Sequence, residues 1–412
     1  MTTVPEVAVR AVRTSVLEDP RPLLELLPED DALAWVRHGE GLVGWGCAAR
    51  VELSGEAPFA EAAAWWRAVV AGAEVVDELA PAGLPGTGLV AFGSFAFDRG
   101  TSVLVVPEVV VGRSGGRTWV TTVDGAPLDA PATPVRVPQR LELVDRSAGR
   151  YTAAVADAVA RIRSGELAKV VLARDVEARL DAPVDVRWPL QRLADGYPGC
   201  WTFAVEGLVG ATPEMLVRLR DGRASSRVLA GTLRRTGDAA RDARMSDAFG
   251  RSIKDLEEHG YGVRSVVEAL APHCSEVDVP SSPFVLDLPN VLHLATDVTG
   301  VVRDGSTSLD LLASLHPSAA VCGAPTPLAR AVIRDIEGLD RGRYAGPVGW
   351  LDARGDGEWG IALRCAEVDA DDPSRLRLFA GCGLVEGSSP EAELAESDAK
   401  LLAMRTALAP PA

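Results

Sequence analysis

Lysine is almost absent from this sequence. Of its 42 lysines and arginines, only Lys169, Lys254 and Lys400 are lysine. Arginine keeps its proton in nearly every protein environment, whereas a desolvated lysine can lose its proton and act as a base. Because arginine supplies the ordinary surface charge of this chain, we interpret the three lysines as candidates for chemistry or for a compact point charge.

The sequence also lacks long hydrophobic runs and a cysteine pattern. No apolar stretch reaches the roughly 18 residues that span a bilayer, and the opening "MTTVPEVAVRAVRTS" has no apolar core of the signal-peptide kind. The six cysteines show no C-x-x-C spacing, so neither a zinc site nor a disulfide framework is indicated. We therefore expect a cytoplasmic protein without a membrane segment, whose cysteines are mostly small buried side chains.

Positive charge is in short supply. The formal net charge of −16 at pH 7 would repel a polyanion, and no basic stripe with interleaved aromatic residues is present. We therefore expect no nucleic-acid partner. An anionic substrate would need a local cluster of arginine, lysine, backbone N–H groups or a divalent cation within this acidic protein.

What the sequence does contain is the composition of a soluble globular protein, with 47% apolar and 24% charged residues. Its 412 residues suffice for one large domain or for two to three ordinary ones. Strand-like runs arrive in consecutive groups, at residues 86–97, 102–111, 117–123 and between 170 and 220. Helical patterns cover residues 59–78, 151–163, 247–271 and 390–408. This grouping favours an α+β fold over a doubly wound parallel sheet.

Lys169 stands inside the short apolar run "GELAKVVLARDV", which is typical of a strand buried on both faces. Burying an unpaired amine is costly, so a lysine there has either a partner or a task. The alternative is a lysine at the end of a strand whose amine extends to water. The segment alone leaves both interpretations open.

Three further segments carry carboxylates. Glu214 follows a proline in "GATPEMLVRL", where it is either an ordinary exposed glutamate or a functional one. In "SIKDLEEHGYGVRSVVEAL", the helical spacing puts Asp255 and Glu258 on one face of a helix. Like charges this close repel each other, so this pair is either fully solvated or gathered around a cation.

The last helix pattern, "SSPEAELAESDAKLLAMRTAL", begins with Ser389 as the N-cap and a proline at the first helical position. At about 100° per residue, Glu393, Glu396 and Lys400 form one polar strip. That strip is either an exposed ladder of ion pairs or part of a site. Two helices with carboxylate pairs and no histidine or cysteine cluster are typical of Mg²⁺ bound with an anionic substrate.

Together these segments resemble the chorismate-utilising enzymes, a family that includes isochorismate, salicylate and anthranilate synthases. The matching motifs occur in the family's order from Tyr151 to Leu402: "GELAKVVLAR", "GATPEMLVRL", "LAGTLRR", "SIKDLEEHGYGV", "LPNVLHLATDVTG", "LHPSAAVCGAPT", "RYAGPVGWLD", "IALRCAEV" and "LFAGCGLVEGSSPEAELAESDAKL". "FGSFAFDRG" extends the resemblance towards the N-terminus.

The resemblance implies a large α+β domain of the anthranilate synthase component I type, with mainly antiparallel sheets flanked by helices. That domain would span residues 1–412, with residues 1–140 as its N-terminal half and residues 145–408 as the chorismate-binding catalytic core.

The resemblance also implies the site. The metal carboxylates would be Glu258 and Glu396, with Asp255 and Glu393 supporting a Mg²⁺ ion through water. Ala320 would occupy a substrate-binding position whose side chain differs among members of the family. The remaining substrate contacts would be Thr232, His293, Tyr344, Arg364, the backbone of Gly381 and Gly383, and Lys400. Chorismate, a dianion, would thus be held by local cations inside an acidic protein.

Several positions separate the members of the family. Members that deliver ammonia usually carry glutamine at the position of Lys169, whereas members that deliver water carry lysine. Aminodeoxychorismate synthases use a lysine nucleophile where this chain has Ala230. Salicylate synthases tend to carry threonine at Ala320, and Phe379 and His316 resemble isochorismate synthases. The resemblance therefore favours isochorismate synthase, with salicylate synthase as the alternative and anthranilate synthase component I as the weaker one.

The expected reaction uses two side chains on opposite sides of the substrate. Lys169 would take a proton from the water that attacks C2 of the chorismate ring, and Glu214 would protonate the departing C4 hydroxyl. Mg²⁺ would orient the ring carboxylate. The family default is a monomer without an obligatory protein partner. A non-catalytic metal-binding subunit is the alternative from another class, although such a subunit would have no use for the acid and the base.

Overall fold

The computed structural model describes residues 9–55, 57–128, 133–236, 238–289 and 291–411. At positions 232, 234, 239, 253 and 254, only the backbone is described. Within these ranges, no helix is long and apolar enough to cross a membrane.

Strands dominate the described part of the chain. In chain order they are β1 (Ala11–Val16), β2 (Leu33–Arg37), β3 (Glu40–Trp45), β4 (Ala49–Leu53), β5 (Glu74–Asp77), β6 (Val90–Ser94), β7 (Ser102–Val106), β8 (Val109–Ser114), β9 (Arg117–Val123), β10 (Leu141–Val144), β11 (Lys169–Leu180), β12 (Trp201–Val205), β13 (Leu208–Thr212), β14 (Met215–Arg220), β15 (Arg223–Arg234), β16 (Cys274–Asp278), β17 (Phe284–Asp287), β18 (Val291–Val302), β19 (Gly323–Ala324), β20 (Pro347–Asp352), β21 (Gly357–Ile361), β22 (Cys365–Val368) and β23 (Arg375–Leu384).

Helices connect and cover these strands. They are α1 (Pro58–Gly72), α2 (Ala148–Arg163), α3 (Arg187–Gly196), α4 (Ala239–Phe249), α5 (Ile253–Leu270), α6 (Ser308–Leu315), α7 (Thr326–Ile336) and α8 (Pro390–Leu408), with short 3-10 turns at Leu23–Leu26 and Ala80–Ala82.

The strands form two large sheets. The first has the order β10-β11-β23-β22-β13-β12-β2-β3-β8-β9-β1-β5, with β19 added beside β11. The second has the order β16-β18-β15-β14-β21-β20-β6-β7-β4, with β17 added beside β18. Among the described strands, the β1–β5 pair alone is parallel. The expected α+β class with mainly antiparallel sheets is confirmed.

The core follows from the alternation of side chains along the strands. In β12, Trp201, Phe203 and Val205 belong to the large core shared with strands of the second sheet, whereas Ala204 points to a second core under α3 and α8. The helix α8 packs against α2, α3 and β23. The first sheet is therefore covered on both faces at the place where β11 and β23 lie side by side.

Two predicted helices differ from the structure. The pattern over residues 59–78 ends as a helix at Gly72, and the β-branched Val75 and Val76 instead form β5 beside β1. The pattern over residues 247–271 is divided into α4 and α5, because the Ser252 side chain accepts the backbone N–H of Asp255 as the N-cap of a new helix. The helix over 390–408 is confirmed, including Ser389 as its N-cap.

Candidate active site

A cavity lies where the two sheets face each other beside α5 and α8. Strands β11 and β23 come from the first sheet, and β15 and β18 come from the second. The predicted site residues that line it are Glu214, Glu258, His293, Ala320, Tyr344, Arg364, Gly381, Gly383, Glu396 and Lys400. Residues more than 180 positions apart in the sequence are thus brought to one space.

Lys169 is the first residue of β11, and its side chain has no exposed surface. Its Nζ lies 3.3 Å from Oε1 of Glu258, within ion-pair distance but without the alignment of a hydrogen bond. The interpretation that this amine extends to water is therefore wrong. The amine has a carboxylate partner, and that partner lines the cavity.

Gly383 makes this close approach possible. A Cβ atom at Gly383 would lie 2.2 Å from Oε1 of Glu258 and 3.0 Å from Cε of Lys169. Any larger residue would push apart the lysine and the carboxylate. Gly383, the second glycine of "AGCG", therefore has a steric role at this site in addition to the substrate contact predicted for its backbone.

Glu214 lies between β13 and β14 and is only 5% exposed. Burial raises the pKa of this carboxyl to about 8, and the charge of Lys169 opposes part of that shift. The side chain is therefore mostly protonated at neutral pH. The interpretation of Glu214 as an ordinary exposed glutamate is wrong.

His293 and Arg364 form a buried pair. Nδ1 of His293 lies 3.0 Å from the carbonyl oxygen of Gly231, and Nε2 lies 2.8 Å from Nη2 of Arg364. Burial and the Arg364 charge hold the pKa of His293 well below its usual range. The neutral ring therefore donates from Nδ1 and accepts at Nε2, which orients the guanidinium at the cavity wall.

Lys400 is held more firmly than Lys169. Its Nζ lies 2.7 Å from Oε1 of Glu396 and donates to the carbonyl oxygen of Gly381 at 2.8 Å. Burial alone would lower the pKa of Lys400, but the neighbouring Glu396 carboxylate raises it. Glu396 and Lys400 thus form an i, i+4 ion pair that faces the cavity instead of an exposed ladder.

Tyr344 is another residue of the cavity wall. Its ring stacks on Phe379 with centroids 5.0 Å apart and planes 11° from parallel. Burial raises the pKa of its hydroxyl, so the hydroxyl stays protonated and can donate a hydrogen bond. A Cβ atom at Gly381 would lie 3.0 Å from this hydroxyl, so glycine leaves room for the tyrosine.

The carboxylates near α8 fit a hard cation. Glu258 and Glu396 line the same cavity, but the ligand atoms that lie within 4.8 Å of one another are those of Cys382, Glu393 and Glu396, a group that does not include Glu258. Burial raises the pKa of the Cys382 thiol well above its usual range, so carboxylate oxygens are the charged ligands here. Oxygen donors of this kind suit Mg²⁺. Asp255 is more remote and packs against Gly231.

The remaining predicted residues are placed as follows. The backbone of Thr232 pairs with His293 in the β15–β18 ladder, while its side chain lies outside the described part of the structure, as does that of Lys254. Ala320 and Val321 form one wall of the cavity.

Sequence reasoning missed two groups. Arg341 lines the cavity and is bound to Glu337. His259 is buried beside Glu258, with Nε2 lying 2.7 Å from Oγ1 of Thr296, and burial with the Lys169 charge lowers its pKa to about 4. Helical spacing gave no signal for the Glu337–Arg341 pair, because α7 ends at Ile336 and Gly338 has a positive φ.

Known proteins are similar to this chain in sequence. The isochorismate synthase DhbC of Bacillus subtilis is 40% identical over 270 residues, which are 63% of this chain and 67% of that protein. The salicylate biosynthesis isochorismate synthase of Pseudomonas aeruginosa is 35% identical over 413 residues, covering 91% of this chain and 84% of the relative.

A solved structure is also similar to this chain. MenF, the menaquinone-specific isochorismate synthase from Escherichia coli, superposes with a TM-score of 0.79 at 25% identity, covering 97% of this chain and 95% of MenF. The family described as "Chorismate binding enzyme" matches residues 124–409. The resemblance inferred from the motifs is confirmed, and the chain belongs to the chorismate binding enzyme family.

Proposed function

We propose that this protein is an isochorismate synthase, which isomerises chorismate to isochorismate by adding water at C2 and releasing the C4 hydroxyl. The observation that carries the proposal is a protonated buried carboxyl that lines the cavity, together with a buried lysine whose carboxylate partner, Glu258, lines the same cavity. A lysine and a carboxyl can serve as base and acid in one reaction when the amine is neutral and the carboxyl is protonated. The curated relatives named above are isochorismate synthases, which supports the same activity.

Lys169 acts as the base. In its neutral form, the Lys169 amine accepts a proton from the water whose oxygen forms the bond to C2. The ring double bonds then rearrange, and the C4–O bond breaks. Lysine suits this step because a glutamine amide at this position could not accept the proton.

Glu214 acts as the acid. Its pKa of about 8 keeps the proton on the carboxyl at neutral pH. That proton passes to the departing C4 hydroxyl, which leaves as water. One water is consumed and one is released, so the reaction is a net isomerisation.

The cations at the cavity bind the two carboxylates of chorismate. Arg364, oriented by neutral His293, and the Tyr344 hydroxyl hold the enolpyruvyl carboxylate. Lys400 neutralises charge at the α8 end of the cavity. We propose that Glu258 and Glu396 hold Mg²⁺, with Glu393 and Asp255 acting through water, and that the ion orients the ring carboxylate as a Lewis acid when it is bound.

Salicylate formation is the second candidate, because a relative is named for salicylate biosynthesis. The presence of Ala320, where salicylate synthases tend to carry threonine, favours a reaction that stops at isochorismate. We further propose that the protein works as a cytoplasmic monomer without an obligatory partner. Its product would feed menaquinone or siderophore synthesis.

Incubation of the purified protein with chorismate and Mg²⁺, followed by chromatography and mass spectrometry, tests the activity. Isochorismate as the sole product is expected. Salicylate with pyruvate would indicate a salicylate synthase. Anthranilate formed with added ammonia would indicate anthranilate synthase component I. Unchanged chorismate at saturating Mg²⁺ would overturn the proposal.

The metal assignment has its own test. Glu396→Gln removes a carboxylate charge from the cavity, so we expect the Mg²⁺ concentration for half-maximal activity to rise at least about tenfold. Glu391→Gln is the matched control, because Glu391 is an exposed residue in the first turn of the same helix. Calorimetric titration with Mg²⁺ gives a second readout. A Glu396→Gln protein with an unchanged Mg²⁺ titration would remove this residue from the metal ligands.

A further inference from the structure

Glu337 and Arg341 form a buried ion pair at the end of α7. Their side chains are 1% and 4% exposed. Arg341 donates from Nε to Oε1 of Glu337 at 2.7 Å and from Nη2 to Oε2 at 2.6 Å. The pair is therefore a planar, two-point contact sealed from water.

This pair lies along an open edge of β11. On one side β11 pairs with β23 along nearly its whole length. On the other side β19 covers Lys169 and Val170, and β10 covers residues 177–180. Among the described strands, none pairs with residues 171–176 on that side, so the backbone groups of this edge need other partners.

The ion pair supplies those partners. Oε2 of Glu337 accepts the backbone N–H of Ala173 at 2.8 Å, and Nη2 of Arg341 donates to the carbonyl oxygen of Val171 at 2.7 Å. The backbone N–H of Val171 donates to Cys322 at 2.9 Å. The Glu337 and Arg341 side chains thus supply hydrogen bonds to β11 that a neighbouring strand supplies elsewhere in the sheet.

Arg341 also holds the cavity wall. Its Nη1 donates to the carbonyl oxygen of Val321 at 3.1 Å, and its guanidinium lies 4.1 Å from the centroid of the Phe97 ring. Val321 and Ala320 line the cavity. One guanidinium therefore fixes the separation between β11 and this wall.

We infer that Glu337 and Arg341 are positioning residues for Lys169. Side chains at i, i+2 and i+4 of a strand share one face, so holding the backbone at Val171 and Ala173 sets the direction of Lys169. The role of Lys169 as the base rests on the proposed function. Arg341 touches no reacting atom in this scheme and acts through the strand.

Stability alone does not account for the pair. A buried ion pair is often no more stabilising than packed apolar residues of similar volume. A lysine at position 341 would keep the charge, but it could not bridge a carboxylate and two carbonyl oxygens with the fixed geometry of a guanidinium. The geometry therefore requires arginine specifically.

Arg341→Lys tests the inference, with Arg187→Lys as the matched control. Arg187 is also 4% exposed and pairs with buried Asp185 at 2.7 Å, but it lies outside the residues that line the cavity. We expect Arg341→Lys to lower kcat by about 10- to 100-fold with KM changed less than about threefold, because a small misplacement of a catalytic group slows the chemical step. Arg187→Lys should keep wild-type kcat.

Hydrogen exchange gives a readout that is independent of turnover. In Arg341→Lys, the amides of residues 168–176 should exchange faster than in the wild type, whereas in Arg187→Lys they should not. Should the wild-type protein leave chorismate unchanged, the proposed function fails, but this measurement still reports whether the pair holds the strand. Equal exchange in the two variants, or equal loss of kcat in both, would overturn the inference.

A second variant addresses loss of folding. Glu337→Gln with Arg341→Met removes both charges together, which avoids leaving one buried charge alone. We expect this variant to fold with a lowered melting temperature, because the carbonyl oxygens of Val171 and Val321 lose their donor, and to show the reduced kcat. Wild-type kcat in a folded double variant would contradict a positioning role.

Discussion

The two described lysine side chains occupy contrasting regions of one site. Lys400, on α8, is fixed by Glu396 at 2.7 Å and by the carbonyl oxygen of Gly381 at 2.8 Å. Lys169, on β11, is completely buried and has one ion-pair contact with Glu258 at 3.3 Å and no aligned hydrogen bond. The first region holds a permanent cation, and the second holds an amine with few fixed contacts.

This difference matches the proposed division between a lysine that binds substrate and a lysine that transfers a proton. A cation that neutralises a carboxylate works best when its hydrogen bonds fix it in place. A base must be free to accept a proton from water at the reacting atom, which strong prior contacts would hinder. The contrast between the two lysines therefore supports the proposed roles, binding for Lys400 and proton transfer for Lys169.

Lys169→Ala is the strongest test of the different roles proposed for the two lysines. Removing the base should lower kcat by about 10³-fold or more, within the range for general base catalysis, while chorismate binding persists. Turnover and calorimetric binding of chorismate with Mg²⁺ are measured on the same protein. Near-normal kcat in this variant would end the assignment of Lys169 as the base.

Glu214→Gln should have the next largest effect. An amide cannot donate the proton as a carboxylic acid does, so we expect kcat to fall about 10²-fold. In the wild type, kcat/KM should decline as the pH rises through about 8, because Glu214 then loses its proton. That decline should be missing from the residual activity of Glu214→Gln.

A control separates this pH effect from general unfolding. The raised pKa of Glu214 stabilises the folded protein fully below its usual value of 4.5, and this contribution is lost as the pH rises through about 8. Asp352 is another buried carboxyl whose burial raises its pKa, and it lies outside the cavity lining. Asp352→Asn should keep the alkaline decline of the wild type. Loss of the decline in both variants would point to stability instead of acid catalysis.

The sequence predicts local features of this site well. The strand around Lys169 and the helix from Pro390 to Leu408 follow from short-range patterns, namely an apolar run and an N-cap. These signals are local, because backbone conformation depends mainly on neighbouring residues. The limits of α5 were less predictable, since Ser252 interrupts a pattern that is otherwise continuous.

Contacts between distant segments could not be read from periodicity. The pairing of Lys169 with Glu258 and the attachment of Glu337 to Ala173 join segments 89 and 164 residues apart in the chain. The family motifs indicated that the carboxylate helices meet the lysine strand, but they gave no reason to notice the Glu337–Arg341 pair. Only the open edge of β11, a property of the assembled sheet, explains that pair.

Lys400→Gln should have the smallest effect of the series and should act on binding. Hydrogen bonds to charged groups contribute about 1.5–3 kcal/mol, so we expect the KM for chorismate to rise about tenfold with kcat changed less. Arg405→Gln is the matched control, because Arg405 is an exposed cation on the same helix and should leave both constants unchanged. If Lys400→Gln instead lowered kcat as much as Lys169→Ala at unchanged KM, both lysines would serve the chemical step. The division between a fixed binding cation and a catalytic amine would then fail, and the contacts that hold Lys400 would need a catalytic explanation.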